Sequence, residues 1–111
     1  MLDFATYQKQ AQTTAVYPGR GEGNFTYPAL GLAGETGEVC EKLKKAIRDD
    51  GGKVSEERRS LLAKELGDVL WYLATLSTEL GLDLEAIAAG NLAKLAARKE
   101  AGKIHGSGDL R

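Results

Sequence analysis

The chain has 111 residues, of which 42% are hydrophobic and 28% charged, a composition typical of one soluble globular domain. Its formal net charge of -1 argues against duplex nucleic acid as a partner, because no broad basic field is present to attract phosphates. No apolar run approaches the roughly 18 residues that a membrane span requires. The N-terminus also lacks the basic and apolar segments of a secretory signal. We therefore expect a cytoplasmic protein with no membrane partner.

The first predicted elements are a helix and a loop. Residues 1–16 place Leu2, Phe4, Tyr7 and Ala11 among polar residues, a spacing that favours a helix. Residues 17–24 contain a proline and three alternating glycines, which are typical of a loop. No apolar strand precedes these glycines and no Gly-Lys-Ser/Thr follows them, so they do not form a phosphate-binding motif. We expect a flexible loop that can fold over a ligand as a lid.

A second helix is predicted to begin near Pro28, a residue suited to a first turn, and to end at residues 49–52, where two acids precede two glycines. Its apolar positions are Leu30, Ala33, Cys40, Leu43 and Ile47. As the single cysteine, Cys40 excludes an internal disulfide, and its place in this pattern predicts a core residue.

The third and fourth helices complete an all-α fold. Ser55 is the predicted N-cap of the third, which ends at Gly81 and carries an apolar face wide enough to indicate an oligomer. The fourth begins near Asp83, and its inward positions are predicted to be Leu84, Ile87, Leu92 and Leu95. Residues 1–101 form a single predicted helical domain. Residues 102–111, which include His105, have no periodicity and are predicted to be a flexible tail.

Two acid pairs with three-residue spacing mark the second and third helices: Glu35 and Glu38, then Glu65 and Asp68. A short connection makes these helices antiparallel neighbours. At a rise of ~1.5 Å per residue, Glu38 lies level with Glu65 and Glu35 with Asp68. The acids of the third helix interrupt its apolar stripe, so we expect all four carboxylates to converge on an inner surface.

Two interpretations of the converging acids stay open. Local ion pairs, such as that of Glu38 with Lys42, are each worth only about 0.2–0.5 kcal/mol. A hard divalent cation, Mg2+ or Mn2+, is the other partner that oxygen ligands of this kind prefer.

Four glycines lie inside the two predicted helices that carry the acids: Gly31, Gly34, Gly37 and Gly67. Each costs roughly 0.8–1.0 kcal/mol against alanine in a helix interior. Their presence predicts close backbone packing or open space for a ligand. An incidental glycine in a frayed first turn explains Gly31 better than it explains the others.

The paired acids resemble the signature of the MazG-like nucleotide pyrophosphohydrolases, in the all-α NTP pyrophosphatase superfamily. The resemblance rests on Gly-Glu-Thr-Gly-Glu at 34–38 and Glu-Leu-Gly-Asp at 65–68, and extends over residues 27–98. It implies hydrolysis of an NTP or dNTP to the monophosphate and pyrophosphate, with Mg2+ or Mn2+ as cofactor. It also implies a four-helix bundle assembled as a homodimer or as a dimer-of-dimers tetramer.

The resemblance assigns roles to particular residues. It implies that the metal ligands are Glu35, Glu38, Glu65 and Asp68. Either Glu38 or Glu35 would be the catalytic residue that accepts a proton from the attacking water. The last helix resembles the family's Asn-x-x-Lys segment, which implies the substrate-binding residues Asn91, Lys94 and Arg98. A solvated helix face is the alternative interpretation of these three.

Two other kinds of function are compatible with the sequence. One is a helical interaction module without catalysis, and the other is a protein that binds nucleotides without cleaving them. The sequence argues against a di-iron carboxylate site, because neither Glu35 nor Glu65 has a histidine three residues later. His105, in the predicted tail, is expected to be a flexible residue rather than a catalytic base.

Overall fold

The computed structural model describes residues 1–102, and within that range it contains helices and turns but no strand, which confirms the all-α prediction. None of these helices is long and apolar enough to cross a membrane. The predicted tail lies outside the described residues, apart from Gly102. The elements are α1 (Phe4–Ala11) followed by a 3-10 helix (Gln12–Thr14), α2 (Thr26–Asp50), α3 (Glu56–Glu79) and α4 (Leu84–Glu100).

Local signals in the sequence fix the ends of the helices. Ser55 accepts a hydrogen bond from the backbone N–H of Arg58 at 3.2 Å, and Asp83 accepts one from that of Glu85 at 3.0 Å. Each side chain thereby satisfies an N–H group that the first helical turn leaves without a partner. At the other end of α2, Gly51 has a φ of 63°, a left-handed conformation that costs glycine little. These caps place the turns where the sequence predicts them.

The α2 and α3 helices form an antiparallel pair with the most extensive helix–helix contact of the described residues. Arg58 and Asp50 join the two ends of the intervening turn at 2.6 Å. The α1 helix packs against α3 and also contacts α4. Gln8 of α1 donates a hydrogen bond to the carbonyl oxygen of Leu82 at 2.9 Å and accepts one from the N–H of Leu84 at 2.8 Å. It therefore fixes the turn between α3 and α4.

Few apolar side chains are fully buried within this single chain. The main cluster of buried apolar residues consists of Ala11, Ala74 and Leu84, and Tyr7 and Trp71 pack against it. Several positions predicted to face inward or to belong to the core are exposed instead, and those predictions are wrong for the isolated chain. Hydrophobic periodicity identifies an apolar face without showing which chain covers it. The exposed positions are Leu30, Ala33, Cys40, Leu43, Ile47, Ile87 and Leu92.

One carboxylate of α3 holds the glycine-rich loop that precedes α2. Glu79 accepts hydrogen bonds from the backbone N–H groups of Gly21 at 2.9 Å and Gly23 at 3.1 Å, and from the Tyr17 hydroxyl. Both glycines have φ values near +78°, where a side chain would be strained. Tyr17 also stacks on Tyr27 in the first turn of α2, with ring centroids 4.7 Å apart. The loop predicted to be flexible therefore has an anchor on α3 that its composition did not predict.

We expect Glu79→Gln to lower the free energy of unfolding at pH 7 by about 1–3 kcal/mol, since three donors lose a charged acceptor. The hydrogen bond from Tyr17, and then that from Gly21, lowers the pKa of the Glu79 carboxyl. A lowered folded-state pKa gives stabilisation that is present above the unfolded value of about 4.3 and is lost as the pH falls through the folded value. Urea unfolding of wild type and variant should therefore differ at pH 7 and differ less at low pH. A difference independent of pH would contradict this role.

Candidate metal centre

Three of the four predicted acids meet between α2 and α3. Glu35, Glu65 and Asp68 each offer a carboxylate oxygen, and these oxygens lie within 4.8 Å of one another. Gly31, one turn before Glu35, lies against the ring of Tyr72, one turn after Asp68. This contact agrees with the predicted register, in which Glu35 lies level with Asp68. The antiparallel packing thus joins acids that are 30 or more positions apart in the sequence.

The proximity of the carboxylates changes their acid strengths in opposite directions. A hydrogen bond with Glu65 is the largest cause that raises the pKa of the Glu35 carboxyl, followed by burial and the charges of the neighbouring acids. The same hydrogen bond, and then one from Lys42, lowers the pKa of Glu65. The raised pKa of Glu35 is expected where carboxylates lie close together, and a cation would neutralise their negative charge.

Glu38 lies on the same face of α2, one turn after Glu35, but its carboxylate is directed to Lys42. Its side chain is 58% exposed, and its Oε2 lies 3.9 Å from Lys42 Nζ. The same ammonium lies closer to Glu65, 3.2 Å from Oε1. The pair of Glu38 with Lys42 follows from their spacing on one helix. The contact of Lys42 with Glu65 was missed because it depends on how α2 packs on α3.

The helical glycines differ in their surroundings. A Cβ added at Gly31 would lie 2.2 Å from the ring of Tyr72, so this glycine permits the close approach of α2 to α3. The interpretation of Gly31 as incidental in a frayed turn is therefore wrong. A Cβ added at Gly34, Gly37 or Gly67 would meet no other atom within 4 Å. These three glycines are exposed, so none of them is needed for the packing of α2 on α3, and their role beside a ligand stays a prediction.

Two tyrosines lie beside the acids. Burial is the largest cause that raises the pKa of Tyr7 on α1, and the charge of Asp68 raises it further. Burial likewise raises the pKa of Tyr72 on α3, with the charges of Glu35 and Asp68 among the smaller causes. The raised pKa values keep both phenols protonated, so each retains an O–H donor. The sequence did not single out either hydroxyl, because the approach of α1 to Asp68 is a tertiary contact.

The three predicted substrate-binding residues of α4 differ in burial. Asn91 is exposed, Lys94 is half-buried and Arg98 is buried, with 6% of its surface exposed. The burial of Arg98 argues against a fully solvated face. The α4 helix makes its main helix contact with α1 rather than with α2 or α3. Binding of substrate by these three residues therefore stays a prediction.

The convergent acids have the donor chemistry of a site for a hard divalent cation. Carboxylate oxygens are the ligands that such cations prefer, and three of them from Glu35, Glu65 and Asp68 lie close enough to share one ion. The neighbouring carboxylates that raise the pKa of Glu35 also favour a cation between them. The residues present therefore fit a divalent metal. Glu38 lies one turn from Glu35, but its carboxylate is not among the convergent oxygens, so its role as a ligand stays a prediction.

Comparison with known proteins agrees with this arrangement. The family model for the MazG nucleotide pyrophosphohydrolase domain matches residues 26–102, the segment that contains α2, α3 and α4. The Gene 37 protein of Mycobacterium phage L5 is 45% identical over 109 residues, which cover 95% of this chain and 96% of that protein. No solved structure gives a significant match. The match of the family model over more than half of the chain shows that the protein belongs to the MazG nucleotide pyrophosphohydrolase family.

Proposed function

We propose that this protein is a Mg2+-dependent pyrophosphohydrolase that cleaves an NTP or dNTP to the monophosphate and pyrophosphate. Membership of the MazG family supports the reaction class. The observation that carries the proposal is the convergence of Glu35, Glu65 and Asp68. Because carboxylates repel a triphosphate, these acids can act on one only with a cation between them. Mn2+ is the second ion that this donor set fits.

The four acids would have two roles, which are binding the metal and accepting a proton from the attacking water. Glu35, Glu65 and Asp68 would hold the metal, which when bound neutralises phosphate charge and lowers the pKa of an associated water. Glu38 is exposed and outside the convergent oxygens, so it can meet a water molecule and accept its proton. Glu35 is the other candidate for this role, but its oxygen is among those that converge on the metal site. Glu38 is also the predicted fourth metal ligand. Measuring both turnover and metal affinity of Glu38→Gln distinguishes a proton acceptor from a ligand.

The substrate would lie beside the acids, next to Gly34. A Cβ added at this position would meet no other atom within 4 Å, which leaves room for phosphates. Lys94 and Arg98 carry the positive charges that hold phosphate oxygens, and Asn91 offers an amide to metal, sugar or base.

The decisive experiment uses the purified protein with a panel of canonical and modified NTPs and dNTPs, in Mg2+ or in EDTA, with product analysis by ion-exchange chromatography. We expect a monophosphate and pyrophosphate in Mg2+ and neither product in EDTA. Release of orthophosphate and a diphosphate would contradict the assigned bond cleavage. Binding of a nucleotide without turnover of any member of the panel would favour the non-catalytic alternative.

We also propose that the protein assembles as a homodimer or as a dimer of dimers. Leu66 and Leu73 of α3 and Leu80, its C-cap, recur every seven residues, and all three are exposed in the single chain. Leu43 and Ile47 extend the exposed apolar surface along α2. Burying a side chain of this size stabilises by about 1.5–3 kcal/mol. Contact with a second copy would remove these side chains from water.

Light scattering coupled to gel filtration tests the assembly. We expect the mass of a dimer or tetramer for wild type and a smaller species for Leu73→Lys, because a charge in a buried apolar interface is costly. Lys44→Glu, a change at an exposed position of α2, is the control and should keep the wild-type mass. A monomeric wild-type protein would contradict the proposed assembly.

A further inference from the structure

Lys42 brings a positive charge into the acid site. Its Nζ lies 3.2 Å from Glu65 Oε1 and 3.9 Å from Glu38 Oε2, so it bridges the two helices. Its side chain is only 23% exposed, whereas that of Lys44, two residues later on α2, is 63% exposed and pairs with Glu41. Lys42 is therefore held inward among the acids, unlike an ordinary surface lysine.

This ammonium and a divalent cation would compete for the same carboxylate. Glu65 belongs to the three acids whose oxygens converge, and it is also the closer partner of Lys42. If the ammonium and a divalent cation lie ~6 Å apart, their repulsion lowers the affinity for the cation about tenfold, even with the full screening of water. Lys42 thus disfavours a divalent cation that arrives alone.

A cation that arrives with phosphate changes this balance. Phosphate oxygens offer the Lys42 ammonium a new partner, since charged groups of this kind form strong hydrogen bonds. The ammonium can then leave Glu65 free for the metal without losing its own ion pair. The same side chain that disfavours free metal would therefore favour metal bound to a polyphosphate.

We propose that Lys42 is a specificity-determining residue that makes the acid site select a metal–polyphosphate complex over the free metal ion. The proposal rests on the proposed function, because it assigns Lys42 a contact with substrate phosphates. It requires no titration of Lys42 and no change of fold. Its consequence is that metal and substrate enter together.

Mn2+ binding at pH 7.5 tests the proposal, measured by electron paramagnetic resonance with and without inorganic pyrophosphate. Without pyrophosphate, we expect Lys42→Met to bind Mn2+ about tenfold tighter than wild type. With pyrophosphate present, we expect the variant to bind the Mn2+ complex about tenfold more weakly, because the charged hydrogen bond to phosphate is lost. Lys42→Arg keeps the charge and should resemble wild type in both assays. Lys44→Met is the matched control and should change neither.

The proposal would be overturned if Lys42→Met bound free Mn2+ no more tightly than wild type does. It would also be overturned if the variant gained Mn2+ affinity equally with and without pyrophosphate. Circular dichroism establishes that each variant is folded before its binding is compared. These measurements need no turnover. Wild-type protein that binds Mn2+ but hydrolyses no nucleotide would refute the proposed hydrolase. Hydrolysis by wild type together with unchanged Mn2+ binding by Lys42→Met would refute only the role of Lys42.

Discussion

Replacing Glu38 with glutamine is expected to lower kcat by about 10²–10⁴-fold, the usual contribution of a general base. Gln keeps the size of the side chain but cannot accept a proton from water. The expected loss of Mn2+ affinity is smaller for Glu38→Gln than for Glu65→Gln, because Glu65 lies among the convergent oxygens and Glu38 does not. The variant should therefore still bind metal and nucleotide while losing turnover.

Glu41→Gln provides the matched control for Glu38→Gln. Glu41 lies one turn further along α2 and pairs with Lys44 at 3.0 Å, away from the acid site. Steady-state kinetics should leave kcat and KM of this variant unchanged. Mn2+ titration of all three variants then separates ligands from the proton acceptor. A loss of Mn2+ affinity for Glu38→Gln as large as that for Glu65→Gln would assign Glu38 as a fourth ligand instead.

The convergence of the acids could be predicted because it depends on local rules. Three-residue spacing places Glu65 and Asp68 on one face of a helix, and the loop signals fix where α2 and α3 end. With both ends fixed, the rise per residue sets which positions lie level. The contact of Gly31 with Tyr72 agrees with that register.

The contacts that depend on packing could not be predicted in the same way. The ion pair of Lys42 with Glu65 joins residues that lie far apart in the sequence. The same is true of the hydrogen bonds by which Glu79 holds the glycine-rich loop. No spacing rule predicts contacts of this kind. The predictions that Cys40 and Ile47 are core residues are wrong for a different reason, since both are exposed. Their helical spacing was identified correctly, but an apolar face can be covered by the same chain or by a second copy. The sequence of one chain does not distinguish these cases.

Gly31→Ala is expected to destabilise the fold by about 1–3 kcal/mol, the usual cost of inserting a carbon into a packed interface. The new Cβ would lie 2.2 Å from the Tyr72 ring, which itself packs edge-on against Trp71 at a centroid distance of 5.0 Å. Either the ring must turn or α2 must move away from α3. Separation of the helices would also move Glu35 away from Asp68, so metal affinity should fall together with stability.

Gly34→Ala is the matched control for Gly31→Ala, because the same methyl group is added one turn later on the same helix. Its Cβ would meet no atom within 4 Å, so the better helix propensity of alanine should stabilise the fold by about 0.8–1.0 kcal/mol. Chemical unfolding should therefore give opposite signs for the two variants. The double variant Gly31→Ala, Tyr72→Leu should recover part of the lost stability, since a smaller side chain makes room for the new Cβ. Equal destabilisation by both alanines would show that backbone freedom, rather than the contact with Tyr72, explains Gly31.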